Sequence, residues 1–425
     1  MNIEQLYQLY LQYPSVETDT RKLKKGDIFF ALKGPSFNGN TFAAKALEAG
    51  ASYAVIDEAA FEINEKTILV ADALATLQAV AKHHRQQFSI PFLAITGSNG
   101  KTTTKELIYA VLSTTFKTYT TEGNLNNHIG VPLTILAIKK DAEIAVIEMG
   151  ANHQKEIESY CSYTMPTHGI ITNAGKAHLE GFGGVEGVKK GKGELFDYLR
   201  ANNGSAFVMW DYDYLRQMSE KIPNVLTYGT RDAAITGEVI KSEPFLEVRF
   251  TKGFTETIVS QLVGDYNLPN ILSAAAVGVY FKIPGNKIKN AIEAYAPSNS
   301  RSQLIQKDGN TIILDAYNAN PSSMRAAIEN FAKLSAGNKI LMLGGMAELG
   351  EESLEEHKKI IALIDQYKWQ HVVLTGADFI KIQHPYLQFK NAAEAKTWFQ
   401  QQQFRQATIL IKGSRSMQME KVLEG

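Results

Sequence analysis

The stretch Phe92-Leu-Ala-Ile-Thr-Gly-Ser-Asn-Gly-Lys-Thr-Thr103 joins an apolar run to a glycine-flanked loop and then to a segment that continues with a helical pattern. A buried strand that ends in such a loop and restarts as a helix is the local plan of an α/β domain, with the loop at the carboxyl edge of a parallel sheet. The chemistry follows from the residue types. Gly97 and Gly100 let the backbone approach an anion, and the N–H groups of Gly97, Ser98, Asn99 and Gly100 point at it together with the helix N-terminus. Lys101 neutralises charge, Thr102 can hold a phosphate-bound Mg²⁺, and Thr103 adds a second hydroxyl. The spacing is shorter than in the common Walker loop, whose first glycine would fall on Ile95. The competing reading, a turn with an incidental Gly-Lys, does not account for the strand and helix on either side.

Working outward, the runs Ile144–Met149, Gly169–Asn173 and Ala206–Trp210 each follow a helix-capable stretch, which predicts a mostly parallel sheet covered by helices. Between about Val225 and Val263 the pattern changes to short alternating runs, Ile235-Thr-Gly-Glu-Val-Ile and Phe245-Leu-Glu-Val-Arg-Phe, which predict antiparallel strands at the edge of that sheet. Upstream, to about Gln87, a short helix, the run Asp27-Ile-Phe-Phe-Ala-Leu and a helix from Leu74 describe a small α/β domain. Downstream, helices at Ile271–Phe281 and Lys287–Tyr295 lead into Ala296-Pro-Ser-Asn-Ser, a second boundary. Beyond it, strands at Ile312–Asp315, Ile340–Gly344, Val372–Thr375 and Thr408–Ile411 alternate with helices at Met324–Leu334 and Ser353–Gln366. The fold class is therefore α/β in three domains: a small N-terminal α/β domain (1–88), a central P-loop-type domain (89–296) and a C-terminal Rossmann-like domain (297–425).

The whole chain sets bounds. Its 425 residues exceed what one core usually organises, in keeping with three domains. A formal net charge of +0 supplies no argument for nucleic acid or a membrane surface, yet leaves room for a local basic pocket. Cys161 is the one cysteine, which excludes an intramolecular disulfide and a thiolate zinc cluster and suits a reducing compartment. The start, MNIEQLYQLYLQYPSV, lacks the basic opening of a secretion signal, and no apolar run reaches membrane-spanning length, so a cytoplasmic protein is expected.

Further candidates gather where strands end. Glu148 closes its strand before Gly150, where a carboxylate faces the crevice and can hold Mg²⁺; a strand-end glutamate that meets solvent is the equal alternative. His178 follows the next strand, and its convergence with the loop and Glu148 outweighs the structural role a lone histidine usually has. Lys192 lies in the basic cluster Lys189-Lys-Gly-Lys192 on a predicted helix, where a solvated charge is the default. Gly123-Asn-Leu-Asn-Asn-His-Ile-Gly130 is an amide-rich loop, and Asp315-Ala-Tyr-Asn-Ala-Asn-Pro321 ends a strand before a helix; ligand contact and turn formation compete in both.

Taken together these segments resemble the Mur ligases over nearly the whole chain. The carrying residues are the phosphate loop, Asp19-Thr-Arg21 with Lys25–Gly34, Thr121–Gly130, Asn173–Glu180, Met346-Ala-Glu-Leu-Gly350 and Asn318-Ala-Asn-Pro321. The resemblance implies that Gly97–Thr103 bind ATP, with Asn267, Asn270, Arg301 and Asp315 on the nucleotide side. It implies that Thr102 holds Mg²⁺, and that Glu148 and His178 hold a second one near the reacting group. It further implies that Lys192 is carried as a carbamate, an anion able to partner metal, and it makes Lys101, Glu148, His178 and Lys192 the catalytic set. Thr20, Arg21, Asn124, Asn126, Asn127, His128, Asn318 and Asn320 are implied to bind substrate. Tyr266, Ala316 and Gly191 depart from the family pattern, chiefly around adenine. The implied reaction joins D-alanyl-D-alanine to UDP-MurNAc-tripeptide through an acyl phosphate, carried out by a monomer. A sister ligase adding a single amino acid or a glutamate to folate, a P-loop phosphotransferase or ATPase, and a nucleotide-regulated scaffold are the alternatives; the second metal site argues against the scaffold.

Overall fold

The computed structural model of the chain describes residues 1–298 and 300–424; Asn299, inside the stretch read as the second boundary, and Gly425 lie outside them. Three separate sheets carry the fold, and each is built around runs that are apolar for a reason the topology supplies.

The first sheet is parallel, in the order Val16–Glu17, Ile28–Phe30, Tyr53–Ile56, Thr67–Leu69. Its helix Ala73–Arg85, started by the Asp72 side chain on the Ala75 N–H at 2.7 Å, also faces the next domain. There His84 Nε2 lies 2.8 Å from the Ile138 carbonyl, Tyr10 donates to the Leu136 carbonyl, and Tyr7 meets His84 Nδ1 at 3.0 Å. Arg85 is buried in this joint. Its guanidinium lies 3.8 Å from the centre of the Phe92 ring and donates to the carbonyls of Thr164, Phe88 and Met165 at 2.8–2.9 Å. Burial pushes its pKa down to about 10.

The central sheet has nine strands, in the order Thr257–Val259, Glu247–Lys252, Ile235–Lys241, Asn224–Gly229, Ser205–Met209, His168–Ile171, Phe92–Thr96, Ile144–Glu148, Thr118–Thr120. Phe92–Thr96, Ile144–Glu148 and Ser205–Met209 are buried at every position, which is why they read as unbroken rather than alternating runs. The antiparallel pairs lie at the edge, from Ile235 to Val259, as the alternation predicts. The run at Val225 differs: Asn224–Gly229 pairs parallel with Ser205–Met209, because the helix Asp213–Met218 supplies the crossover that parallel neighbours need. The Ala-rich helix Leu268–Tyr280 packs closely on Lys101–Leu112, and a Cβ at Gly278 would come within 2.8 Å of Val111.

The third sheet runs Gln303–Lys307, Asn310–Asp315, Thr408–Lys412, Lys339–Gly344, His371–Thr375, Leu387–Phe389, with only the first pairing antiparallel. Its two edge strands are half-exposed and mixed in polarity, so they carry no clear signal in the sequence. Among the described residues no helix is long and apolar enough to cross a membrane.

Candidate active site

The phosphate loop takes the shape its glycines allow. Gly97 (φ +147°) and Gly100 (φ +80°) sit where side chains are disfavoured, and a Cβ on Gly97 would lie 2.0 Å from Thr172 Oγ1. The chain following the strand His168–Ile171 pins the loop from one side. Ser98 N donates to the Asn173 carbonyl (2.9 Å), Asn99 N to Asn173 Oδ1 (3.0 Å), and Thr172 Oγ1 to the Asn99 carbonyl (2.6 Å). Lys101 folds back so that Nζ donates to the Gly97 carbonyl at 2.6 Å. Burial pulls its ammonium below the ordinary lysine range; Glu148 opposes that shift and Arg301 adds to it.

Glu148 is 1% exposed. One oxygen accepts from Asn126 Nδ2 (2.7 Å) and Thr102 Oγ1 (3.2 Å), while Oε2 is buried without a hydrogen-bond partner. A buried carboxylate with one unsatisfied oxygen, beside a hydroxyl and an anion-binding loop, is a donor set that fits a divalent cation.

These groups open onto one cleft of about 860 Å³ between the central and C-terminal domains. Ser98 to Thr103, Asn126 to His128, Glu148, His178, Asn267 and Asn270 line it from the central side, and Arg301, Asp315, Asn318 and Asn320 from the other. Asn270 and Asn267 form a buried relay: Thr104 Oγ1 donates to Asn270 Oδ1 (3.0 Å), Asn270 Nδ2 to Asn267 Oδ1 (2.8 Å), and Asn267 Nδ2 to the Val263 carbonyl (2.8 Å). The Arg301 guanidinium carbon sits over the Tyr317 ring, 3.5 Å from its centre. Asn320 caps the helix Pro321–Lys333 and crosses the cleft to Asn99 Oδ1 at 2.7 Å.

Comparisons with known proteins identify the family. The Mur ligase family catalytic domain matches residues 12–86, the Mur ligase middle domain 95–278 and the Mur ligase glutamate ligase domain 300–415. The chain belongs to the Mur ligase family. It is 35% identical to the UDP-N-acetylmuramoyl-tripeptide--D-alanyl-D-alanine ligase of Bacillus subtilis (strain 168), covering 96% of this chain and 92% of that one. The namesake of Escherichia coli (strain K12) is also 35% identical, with the same coverage. Among solved structures, MurF from Acinetobacter baumannii superposes with a TM-score of 0.86 at 28% identity over 98% of this chain and 97% of its own. MurF from Thermotoga maritima in complex with ADP gives 0.87 at 26% identity, over 97% of each chain.

In this Mur ligase some expected residues stand apart from the cleft. Thr20 and Arg21 lie on the N-terminal domain, where Arg21 is exposed and paired with Asp19 at 2.7 Å. Gly97 and Asn124 do not line the cleft; Asn127 does, and its Oδ1 also accepts from the Gly130 N–H at 2.8 Å at the start of the helix Gly130–Leu136. Lys192 sits one layer behind: it is 1% exposed, donates to the Ala151 carbonyl at 2.9 Å and lies 4.9 Å from the centre of the Phe182 ring. Burial first, and Lys101 second, hold its pKa well below the lysine range. No group of three or more His, Cys, Asp or Glu arranged for a metal occurs among the described residues.

Sequence reasoning missed Lys412, Lys176 and Glu348 as site residues. Lys412 is 1% exposed at the end of Thr408–Lys412, in register with Asp315 on the neighbouring strand, and its ammonium contacts the Asp315 carboxylate. The signal was present, since a lysine closing an apolar run before Gly413 is a strand-end charge at the ligand edge of the sheet. Lys176 bridges to Glu356 of the C-terminal domain at 2.6 Å, a contact that no local pattern announces.

Proposed function

We infer that this Mur ligase joins D-alanyl-D-alanine to UDP-MurNAc-tripeptide at the expense of ATP, giving UDP-MurNAc-pentapeptide, ADP and phosphate. The observation that carries the reading is the phosphate loop beside buried Glu148, facing a C-terminal domain across one cleft, in a chain 35% identical to ligases bearing that name.

The chemistry follows. A carboxylate oxygen of the tripeptide attacks the γ-phosphorus of ATP, the bond to the β-bridging oxygen breaks, and ADP leaves with an acyl phosphate behind. The dipeptide amine then attacks the acyl carbon and loses a proton, and phosphate departs with the C–O electron pair. The loop N–H groups from Ser98 to Gly100 cradle phosphate oxygens, and Lys101, released from the Gly97 carbonyl, stabilises the charge that builds on the transferring group. Thr102 and Glu148 would hold Mg²⁺, which when bound screens the phosphate charge. Arg301 and Asp315 close over the nucleotide from the other domain and help exclude water from the acyl phosphate. Asn126, His128, Asn318 and Asn320 face the acceptor and dipeptide.

The further assignments rest on the same reading. Residues 1–88 take the UDP-sugar end, with Thr20 and Arg21 as contacts; 89–296 bind ATP; 297–425 close the site. Burial of Lys192 favours its uncharged amine, the form that adds carbon dioxide and loses a proton to give a carbamate. The enzyme works as a monomer in the cytoplasm, where UDP-linked precursors are made. ADP release and peptide mass, followed with UDP-MurNAc-tripeptide and with or without D-alanyl-D-alanine, test the reaction. Product only with the dipeptide supports it; consumption of another amine, or ATP turnover indifferent to any amine, overturns it.

A further inference from the structure

The segment Met346-Ala-Glu-Leu-Gly350 follows the C-terminal strand Lys339–Gly344 and reaches across to the central domain. Its Glu348 carboxylate is in direct contact with Nδ1 of His178, with the ring N–H off the line to that oxygen. Both residues hold left-handed backbones, φ 61° for Glu348 and φ 51° for His178, although neither is glycine. Two unfavourable backbones facing each other across a domain boundary are strain that the surrounding structure holds in place.

What holds it is visible on both sides. His357 is fully buried and locked between two backbone groups: Nδ1 meets the Ser353 carbonyl at 2.7 Å, and Nε2 accepts the Met346 N–H at 3.0 Å. That fixes the root of the Glu348 segment. On the central side, Lys176 N donates to Ser322 Oγ at 3.0 Å and Lys176 Nζ pairs with Glu356 at 2.6 Å. A Cβ on Gly350 would lie 3.1 Å from that of Glu180, so the two segments pass closely at that point.

We propose that Glu348 is a positioning residue for His178: supplied by the C-terminal domain, it holds the Nδ1 side of the ring and leaves Nε2 to serve the cleft. A negative carboxylate oxygen against Nδ1 favours the proton on that nitrogen and restrains the ring by charge and contact. The Glu348 side chain is 51% exposed, so the pair contributes little to folding; its effect is geometric. His178 is thereby complete only when the two domains are docked, which couples closure to competence of the site. The role of His178 in the reaction rests on the ligase reading; the geometry of its ring does not.

Two measurements on the full-length protein test this. In ¹⁵N-histidine-labelled, ligand-free enzyme at about pH 8, where an ordinary histidine is neutral, the ring nitrogens of His178 are assigned by their loss in His178→Gln. They should report a proton on Nδ1 in the wild type and a shifted tautomer balance in Glu348→Gln. In turnover, Glu348→Gln should lower kcat about 10- to 100-fold, as loss of a carboxylate behind a working histidine does, with KM for ATP held within about twofold. Glu356→Gln breaks the other ion pair of the same seam and should lower kcat by less than about threefold. Unchanged His178 ring signals in Glu348→Gln overturn the proposal, and so do equal kcat losses in Glu348→Gln and Glu356→Gln. A wild-type enzyme that makes no peptide product sinks the ligase reading, while the ring-nitrogen result still decides the proposal.

Discussion

The central domain has two neighbours and meets them in different ways. The N-terminal domain is joined through a buried helix, with Tyr7, Tyr10, His84 and Arg85 inserted among backbone carbonyls and apolar side chains. The C-terminal domain shares apolar contact with it and adds polar side-chain pairs: Asn320 on Asn99, Lys176 on Glu356, Glu348 on His178, and Glu243 on the Ser335 N–H. A joint of buried, fully paired groups is costly to open, because every donor and carbonyl would be left without its partner. Partly exposed ion pairs exchange for water at little cost. The first joint is the costlier to open, and the second is the one at which the proposed closure around a nucleotide would take place.

Changes in the cleft should strike activity without touching either joint. Lys101→Ala is expected to lower kcat about 10²- to 10³-fold, the loss typical of one preorganised charge-stabilising group. Its urea midpoint should stay close to that of the wild type, because Lys101 lines the cleft, where water can take over the carbonyls it leaves. The comparison is broken most directly at Arg85. Arg85→Leu orphans the carbonyls of Thr164 and Met165 and should cost about 2–3 kcal/mol in urea unfolding, with kcat retained below the transition. A stability loss under about 0.5 kcal/mol would remove the distinction between the joints.

A pH series sharpens the contrast. Burial holds the His84 pKa below its ordinary 6.5, so the unfolded chain takes up a proton before the native joint does. Stability from this group is present above about pH 6.5 and falls as the pH drops below it, by at most about 1.4 kcal/mol per pH unit. His84→Gln should flatten that slope, read from urea unfolding at each pH. The smallest effect belongs to the polar joint: Lys176→Met should change unfolding by about 0–1 kcal/mol while raising KM for ATP about two- to threefold, since the closed form is the one that holds nucleotide.

The sequence disclosed the parts that are local and hid those that are not. The strand, glycines and lysine from Phe92 to Thr103 lie within one continuous stretch, and their chemistry survives intact in the structure. Buried strands such as Ile144–Glu148 were legible because burial on both faces leaves an unbroken apolar run. The strand Asn224–Gly229 was misjudged as to direction because alternation reports which faces are buried, and direction is decided by the short crossover helix before it. Glu348 and Lys412 escaped because their partners, His178 and Asp315, lie far along the chain, and no periodic pattern carries that distance. Lys192 was legible only through resemblance: a basic cluster reads as a solvated surface, yet this lysine is the member turned inward.

The segment that pins the phosphate loop has a mechanical consequence. Asn173, which accepts from Ser98 and Asn99, is only five residues from His178, at most about 18 Å even when fully extended. That tether is fastened at one end to the phosphates' cradle and at the other, through Glu348, to the opposite domain. A small molecule wedged at the Glu348 end would therefore act as a brake on nucleotide use without occupying any atom's place in the nucleotide pocket.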